Sequence, residues 1–208
     1  MKNDFPLLSK KVNGHRLVYL DYSNTSVTPN PVLKAMDQYY TSYRSNIHRA
    51  VYPIAEEATV EYENAREKIR AFIAAKSTKE IIFTRNATES INLVAKTWGR
   101  KFLKKGDGVL LSVMEHHSNI VPWQMLQKEV GIKLHFAELT NEERIDLQQF
   151  KSILKKEKIR FVTLVHESNV LGVVNPIGVL ARLAHKHGAK ILVDGAQAAA
   201  HHPVNVQD

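Results

Sequence analysis

From residue 80 onward the chain alternates short apolar runs with stretches of helical periodicity, and this alternation narrows the fold more than any other feature. The runs at 81–84, 109–113, 132–137, 160–165 and 190–193 are short, rich in Val, Ile and Leu, and as a set lack a clean polar alternation. Strands buried on both faces look like this. Between them, 88–102 gathers Ile91, Val94, Ala95, Trp98 and Phe102 on one side, and 119–130 stops at Gly131. The stretch 146–157 groups Leu147, Phe150 and Leu154, and 176–187 opens on a proline and closes before Gly188. Proline in a first turn and glycine just past a last turn mark helix boundaries. Strand and helix in alternation, with short connections, predict an α/β fold with a mostly parallel, doubly wound sheet.

Upstream, 31–43 and 56–75 read as helices. In the second, Ala58, Tyr62, Ala65, Ile69 and Phe72 recur at spacings of three and four and form an apolar stripe. Residues 17–20 read as a short strand leading into a turn-rich loop with Pro29. No repeat or linker interrupts the sequence, so 1–208 is expected to be one folding unit. With 208 residues, 44% of them hydrophobic, the chain can bury the core of one α/β domain or of a large part of a bigger one.

Other classes are disfavoured. No run approaches the roughly 18 apolar residues of a membrane span, and the segment from Met1 to Pro6 has no apolar signal core. The 208 residues include no cysteine, so the chain itself supplies neither a disulfide nor a thiol nucleophile, as suits a cytoplasmic protein. The net charge of +8 is spread along helical stretches such as Arg100, Lys101, Lys104 and Lys105. That is the pattern of a solvated face, and no nucleic-acid-binding motif accompanies it.

Ligands of an open parallel sheet sit beyond the carboxyl ends of its strands. Four expected strands end in polar residues: Arg85-Asn86-Ala87-Thr88-Glu89, Met114-Glu115-His116-His117-Ser118-Asn119, His166-Glu167-Ser168-Asn169 and Asp194-Gly195-Ala196-Gln197. Asp194 suits either a helix cap or a partner for a protonated heteroaromatic nitrogen, which a pyridoxal phosphate ring presents. His116 suits either a structural role or a flat ring stacked on a planar cofactor. Its pair with His117 matches no metal-site spacing. Ala87 and Thr88 open a helix whose free amides and hydroxyl can take a phosphate. Gln197 can donate to a ring oxygen, and Asn169 can contact the ring or a substrate carboxylate.

Taken together, these segments resemble the cysteine desulfurases and selenocysteine lyases of the class V aminotransferase family, closest to the Suf-type branch. The resemblance is carried by Tyr19-Leu20-Asp21, Asn46-Ile47-His48-Arg49, Phe83-Thr84-Arg85 with Thr88-Glu89 and Ile91-Asn92, and Glu115-His116-His117 with Asn119-Ile120-Val121-Pro122-Trp123-Gln124. It continues through Ser168-Asn169-Val170-Leu171-Gly172, Val193-Asp194-Gly195-Ala196-Gln197 and His202-Pro203-Val204. It implies the three-layer α/β/α fold of pyridoxal-phosphate-dependent transferases, with 1–208 forming the N-terminal part of an incomplete large domain. In that family His116 stacks on the cofactor ring, Asp194 pairs with its nitrogen, Gln197 reaches its phenolic oxygen and Thr88, with the Ala87 backbone, holds its phosphate. Asn169 lies near the ring and the substrate carboxylate, and His48 and Asn24 lie on the substrate side.

The implied chemistry releases sulfur from L-cysteine, or selenium from L-selenocysteine, and leaves L-alanine. The implied setting is a cytoplasmic homodimer that hands sulfur to an acceptor protein for iron–sulfur cluster assembly. The family's Schiff-base lysine, persulfide cysteine and substrate-binding arginine all belong to its later portion. Their counterparts are therefore not expected within residues 1–208, and the chain alone is expected not to turn over. Two local departures concern the substrate and the phosphate. Tyr22-Ser23-Asn24-Thr25 stands where the family usually has Asn-Ala-Ala-Thr, and Ala87 stands where Thr is common. Other lyases and epimerases of the group, or a non-catalytic or split half needing a partner chain, remain as alternatives.

Overall fold

The computed structural model describes residues 2–207. Contacts gather the chain into two compact units, Met1–Ile81 and Ile82–Asp208, where the sequence suggested one. No helix among the described residues is long and apolar enough to cross a membrane.

The first unit opens with two 3-10 turns and a short antiparallel hairpin, β1 (Lys11–Val12) and β2 (His15–Arg16). The hairpin turns through Asn13 and Gly14, both at positive φ, as a two-residue loop with matching twist requires. Helix α1 (Asn30–Gln38) has Pro31 in its first turn and continues as a π-helical turn, Tyr39–Tyr43. Helix α2 (Pro53–Phe72) begins three residues before the expected start, with Pro53 at its first position. Its apolar stripe is covered at Ala58 but not at Ile69 and Phe72, which are exposed. Residues 17–20 form no strand among the described residues. They run without a ladder partner, and Val18 and Leu20 are 75% and 85% exposed.

The second unit is the expected sheet and its helices. Helix α3 (Ala87–Val94) runs through a π-helical turn, Ala95–Gly99, into a last turn α4 (Arg100–Phe102), so the expected single helix is one helical run with a wider turn inside it. Then follow β3 (Gly108–Ser112), a 3-10 turn at His117–Asn119, α5 (Val121–Val130) and β4 (Lys133–Ala137). Gly131 ends α5 in the left-handed conformation, as expected. After these come α6 (Leu147–Lys156), β5 (Ile159–Val165), α7 (Ile177–Lys186), β6 (Lys190–Asp194) and the short α8 (Ala198–His201). The strands stand in the order β4-β3-β5-β6, and every pair is parallel.

Alternation along the strands builds two cores, one per face. Leu110, Val162 and Leu164 pack with Phe150 and Leu154 of α6 and Leu180 and Ala184 of α7. Val109, Leu111 and Phe161 pack with Ile91, Ala95, Trp123 and Leu126 of the α3 run and α5. Helices on both faces of a buried sheet make the three layers. Every residue of β3 is buried, which accounts for its unbroken apolar sequence.

A second expected strand is also absent. Residues 81–84 join no ladder among the described residues, and Ile82 and Phe83 are exposed, Ile82 by 71%. Apolar, β-branched composition marks a segment that fits a sheet, but a strand also needs a neighbour to take its N–H and C=O groups.

Candidate functional site

Parallel pairing brings the strand ends level. Val165, the last residue of β5, pairs with Asp194, the last of β6, and Ser112 closes β3 opposite Ala137 of β4. The segments that leave these ends carry Glu115 and His116 after β3, Asn169 after β5, and Asp194 with Gln197 at and beyond β6. Helix α3 packs against the His117–Asn119 turn and shares the apolar cluster of β3, which joins Ala87 and Thr88 to the same part of the unit.

Asp194 is buried, 6% exposed. Its Oδ1 accepts from the Ala196 amide at 3.0 Å, and its backbone carbonyl accepts from the His166 amide at 2.9 Å. No salt bridge reaches its carboxylate among the described residues. A buried acid so placed favours a cationic N–H as its further partner.

His116 is exposed, with its ring fixed at one end. Nδ1 accepts from the Ser118 amide at 3.2 Å and lies 2.7 Å from the Ser118 hydroxyl. The amide can only donate, so Nδ1 is an acceptor and the neutral ring carries its proton on Nε2. The flat faces of the imidazole are not used by these bonds.

At the start of α3, the Asn86 side chain accepts from the Glu89 amide at 2.9 Å. Glu89 turns back to the Arg85 amide and guanidinium, and the Arg85 hydrogen bond holds its carboxyl below the usual range. Helix geometry leaves the Ala87 and Thr88 amides without intrahelical partners. Beside them lies an open cavity of about 640 Å³ lined by Arg85, Asn86, Thr88, Glu89, Asn92 and Lys96. Lys96 lies inside the helical run, in its π-helical turn. It stands eight positions after Thr88, about two turns along, on the same cavity wall.

Asn169 is exposed in a turn that Ser168 organises by accepting from the Val170 and Leu171 amides. Gln197 is half-buried and leads into α8. Asn24 and His48 belong to the first unit. Asn24 sits in an exposed turn closed by its own amide on the Asp21 carbonyl. His48 adopts φ 68°, its amide donates to Thr59 Oγ1 at 3.0 Å, and its Nε2 lies 3.4 Å from Glu63. Lys190 opens β6 and Asp194 ends it, so the lysine stands about 13 Å away at the other end of an extended strand.

Glu115 was legible as part of a motif but not as a hub. Its Oε1 meets the Ser112 hydroxyl at 2.5 Å, and its Oε2 accepts from Asn119 Nδ2 at 2.7 Å. Asn119 Oδ1 in turn accepts from Thr163 Oγ1 at 2.5 Å and Trp123 Nε1 at 3.3 Å. Burial raises the Glu115 carboxyl to about 7, opposed by donors from Ser112, Asn119 and the Val165 amide and reinforced by the charge of Asp194. His166, the first residue past β5, is pushed down by burial and by His202.

The three-layer fold with an acid, an imidazole and a helix start at one end of its sheet is the framework of a cofactor-binding α/β enzyme. Residues 18–208 match the family Aminotransferase class-V, and the chain belongs to that family. It is 49% identical over 207 residues to a probable cysteine desulfurase of Synechocystis, covering all of this chain and 49% of that protein. It is 44% identical over 207 residues to a cysteine desulfurase of Escherichia coli K12, covering 51% of it. Among solved structures, it overlays a cysteine desulfurase of Thermococcus onnurineus with a TM-score of 0.91 at 39% identity, covering 99% of this chain and 49% of that one. It overlays the Escherichia coli cysteine desulfurase CsdA with a TM-score of 0.83 at 35% identity, covering 50% of that chain. The chain thus spans about half the length of these relatives.

Proposed function

We propose that this chain forms the pyridoxal-phosphate-holding part of a cysteine desulfurase that releases sulfur from L-cysteine and leaves L-alanine. The observation that carries the reading is the buried carboxylate of Asp194 at the end of a parallel strand, without a cationic partner among the described residues. The residues present fit the cofactor. Asp194 suits its ring N–H⁺, the open faces of His116 suit its ring, and the Ala87 and Thr88 amides with the Thr88 hydroxyl suit its phosphate.

Bound there, pyridoxal phosphate supplies an electron sink for charge that develops on the substrate. Asp194 holds the proton on the ring nitrogen by stabilising the charged form. His116 orients the ring and, with its proton on Nε2, has a group to offer for proton transfer. Gln197 donates toward the ring's phenolic oxygen, and Asn169 borders the substrate. Asn24 and His48 are assigned to the substrate side on the resemblance alone. The same support extends the reading to a cytoplasmic homodimer that passes sulfur to an acceptor for iron–sulfur assembly, with L-selenocysteine as a second substrate.

This sequence contains no cysteine, so the thiol that receives the sulfur comes from elsewhere in the assembled enzyme. The test is alanine formation from L-cysteine with added pyridoxal phosphate, using this chain alone and with a separately produced C-terminal half of a relative. Alanine is expected only from the assembled mixture, and Asp194→Ala in this chain abolishes it. A stable mixed complex that makes no alanine contradicts the assignment. Alanine from the chain alone contradicts the division of labour.

A further inference from the structure

The positive charge of the chain gathers at the end of the sheet away from Asp194. In a parallel unit every strand starts at one end, and the helix before it finishes there. Four segments cross that end: 100–107, 128–133, 155–160 and 186–190. They hold twelve lysines and arginines against three acids, an excess of nine where the entire chain carries +8. The rest of the chain is therefore close to neutral. All twelve cations are exposed. The segments stand more than twenty residues apart in sequence, and strand pairing makes them neighbours.

Part of this charge has a local use. Cations in a last turn complement the helix dipole, and α5, α6 and α7 each carry lysine there. Lys158 meets the buried Asp107 at 2.8 Å. Lys133, Arg160 and Lys190 are different. They lie in the first residues of β4, β5 and β6, past the helix ends, and no salt bridge reaches them among the described residues. Across the order β4-β3-β5-β6 the row runs Lys133, the 104–107 turn, Arg160 and Lys190. At about 4.8 Å per strand it is roughly 15 Å wide. Backbone bonds hold it rigid: the Gly106 amide donates to the Gly131 carbonyl at 2.9 Å, and the Lys133 and Gly108 amides donate to the Asp107 and Lys158 carbonyls at 2.8 Å.

We propose that this strand-start end is a docking surface for an acidic, extended segment of a partner protein. Cations fixed this close together repel, and carboxylates laid across them relieve the repulsion. An extended segment presents alternate side chains on one face about 6.6 Å apart, so three carboxylates span the row. The row itself contains no aromatic residue on which a base could stack, and one arginine among its lysines. That composition favours a peptide over a nucleic acid. The seven residues of β5 place the surface roughly 20 Å from the Asp194 end. A partner held there leaves that end of the sheet open.

The experiment titrates a fluorescein-labelled decaglutamate peptide with the chain and follows its anisotropy. Saturable binding is expected, weakening at least about tenfold as salt rises from roughly 0.05 to 0.5 M. Lys133→Glu with Lys190→Glu is expected to weaken it at least about tenfold, because both reversals face the peptide. Lys34→Glu with Lys68→Glu makes the same change of net charge at exposed positions of the first unit and is expected to cost less than about twofold. In amide spectra the peptide should shift residues 104–107, 131–133, 158–160 and 190 and leave Ser118 and Ala196 in place. Equal weakening by the two pairs of variants means that net charge alone is read, and overturns the proposal. Tighter binding of a single-stranded oligonucleotide, or of phosphatidylserine vesicles, overturns the choice of partner. Loss of peptide binding on adding the separately produced C-terminal half of a relative shows a face covered within the enzyme, and overturns it as well. No arm uses pyridoxal phosphate or cysteine, so the result is independent of the assignment of Asp194.

Discussion

The Ser118 amide donates to Nδ1 of His116 at 3.2 Å, with the Ser118 hydroxyl 2.7 Å from the same atom. Two contacts from one residue fix both the tautomer and the tilt of an otherwise exposed ring. Ser118→Ala removes one of them, a loss of about 1 kcal/mol. It should weaken binding of a pyridoxal phosphate analogue about fivefold. His116→Ala should weaken it more, by removing the stacking surface. Calorimetric titration of both variants checks the order.

Asn119 is fully buried and serves Glu115, Thr163 and Trp123 at once. Asn119→Ala leaves three polar groups short of a partner, and an orphaned buried group costs about 1–3 kcal/mol. A loss of about 3 kcal/mol in unfolding free energy is expected, measured by urea denaturation. A loss under about 1 kcal/mol would show that the network is not a structural hub.

The Glu115 carboxyl sits at about 7 in the folded protein and near 4.3 in an unfolded chain. The folded state therefore holds the extra proton between those values. The stability it contributes is fully present below about 4.3 and is lost as pH rises through about 7. The difference in stability between wild type and Glu115→Gln should shift in favour of the variant across that window. The shift amounts to a few kcal/mol at most, at about 1.4 kcal/mol per unit. Thermal melts of both proteins from pH 4 to pH 8 read it directly, and parallel curves contradict it.

Much of this was legible in the sequence because buried parallel strands advertise themselves. The four strands of the parallel sheet, β3 to β6, were all located from short runs rich in Val, Ile and Leu, and Gly131 and Pro176 marked helix ends. Residues 81–84 misled because composition reports how a segment would pack, not whether a neighbour exists. The role of Glu115 was hidden for a related reason. Ser112 and Asn119 reach it over three and four positions in a turn that no periodicity reports, and Thr163, 44 positions from Asn119, joins only after β3 and β5 pair. The cavity position of Lys96 likewise depends on two helical turns and not on any motif.

Ile82 and Phe83, with Leu20 and Val51, expose large apolar side chains. Exposed apolar segments of this kind promote association. The chain made alone should self-associate with rising concentration, and Ile82→Lys should reduce this. Sedimentation velocity over a tenfold concentration range checks it, and a concentration-independent monomer contradicts it.

The central claim is that Ala87, Thr88, His116, Asp194 and Gln197 serve one flat, anionic coenzyme. Its most direct measurement is amide chemical-shift mapping with pyridoxine 5′-phosphate, which lacks the aldehyde and so cannot react with surface lysines. The expected result is that these amides shift together along one saturation curve, and that Asp194→Asn weakens the curve by at least about tenfold, as the loss of a charged hydrogen bond in a buried site would. Shifts confined to scattered surface lysines, or separate curves for Thr88 and Asp194, would contradict it.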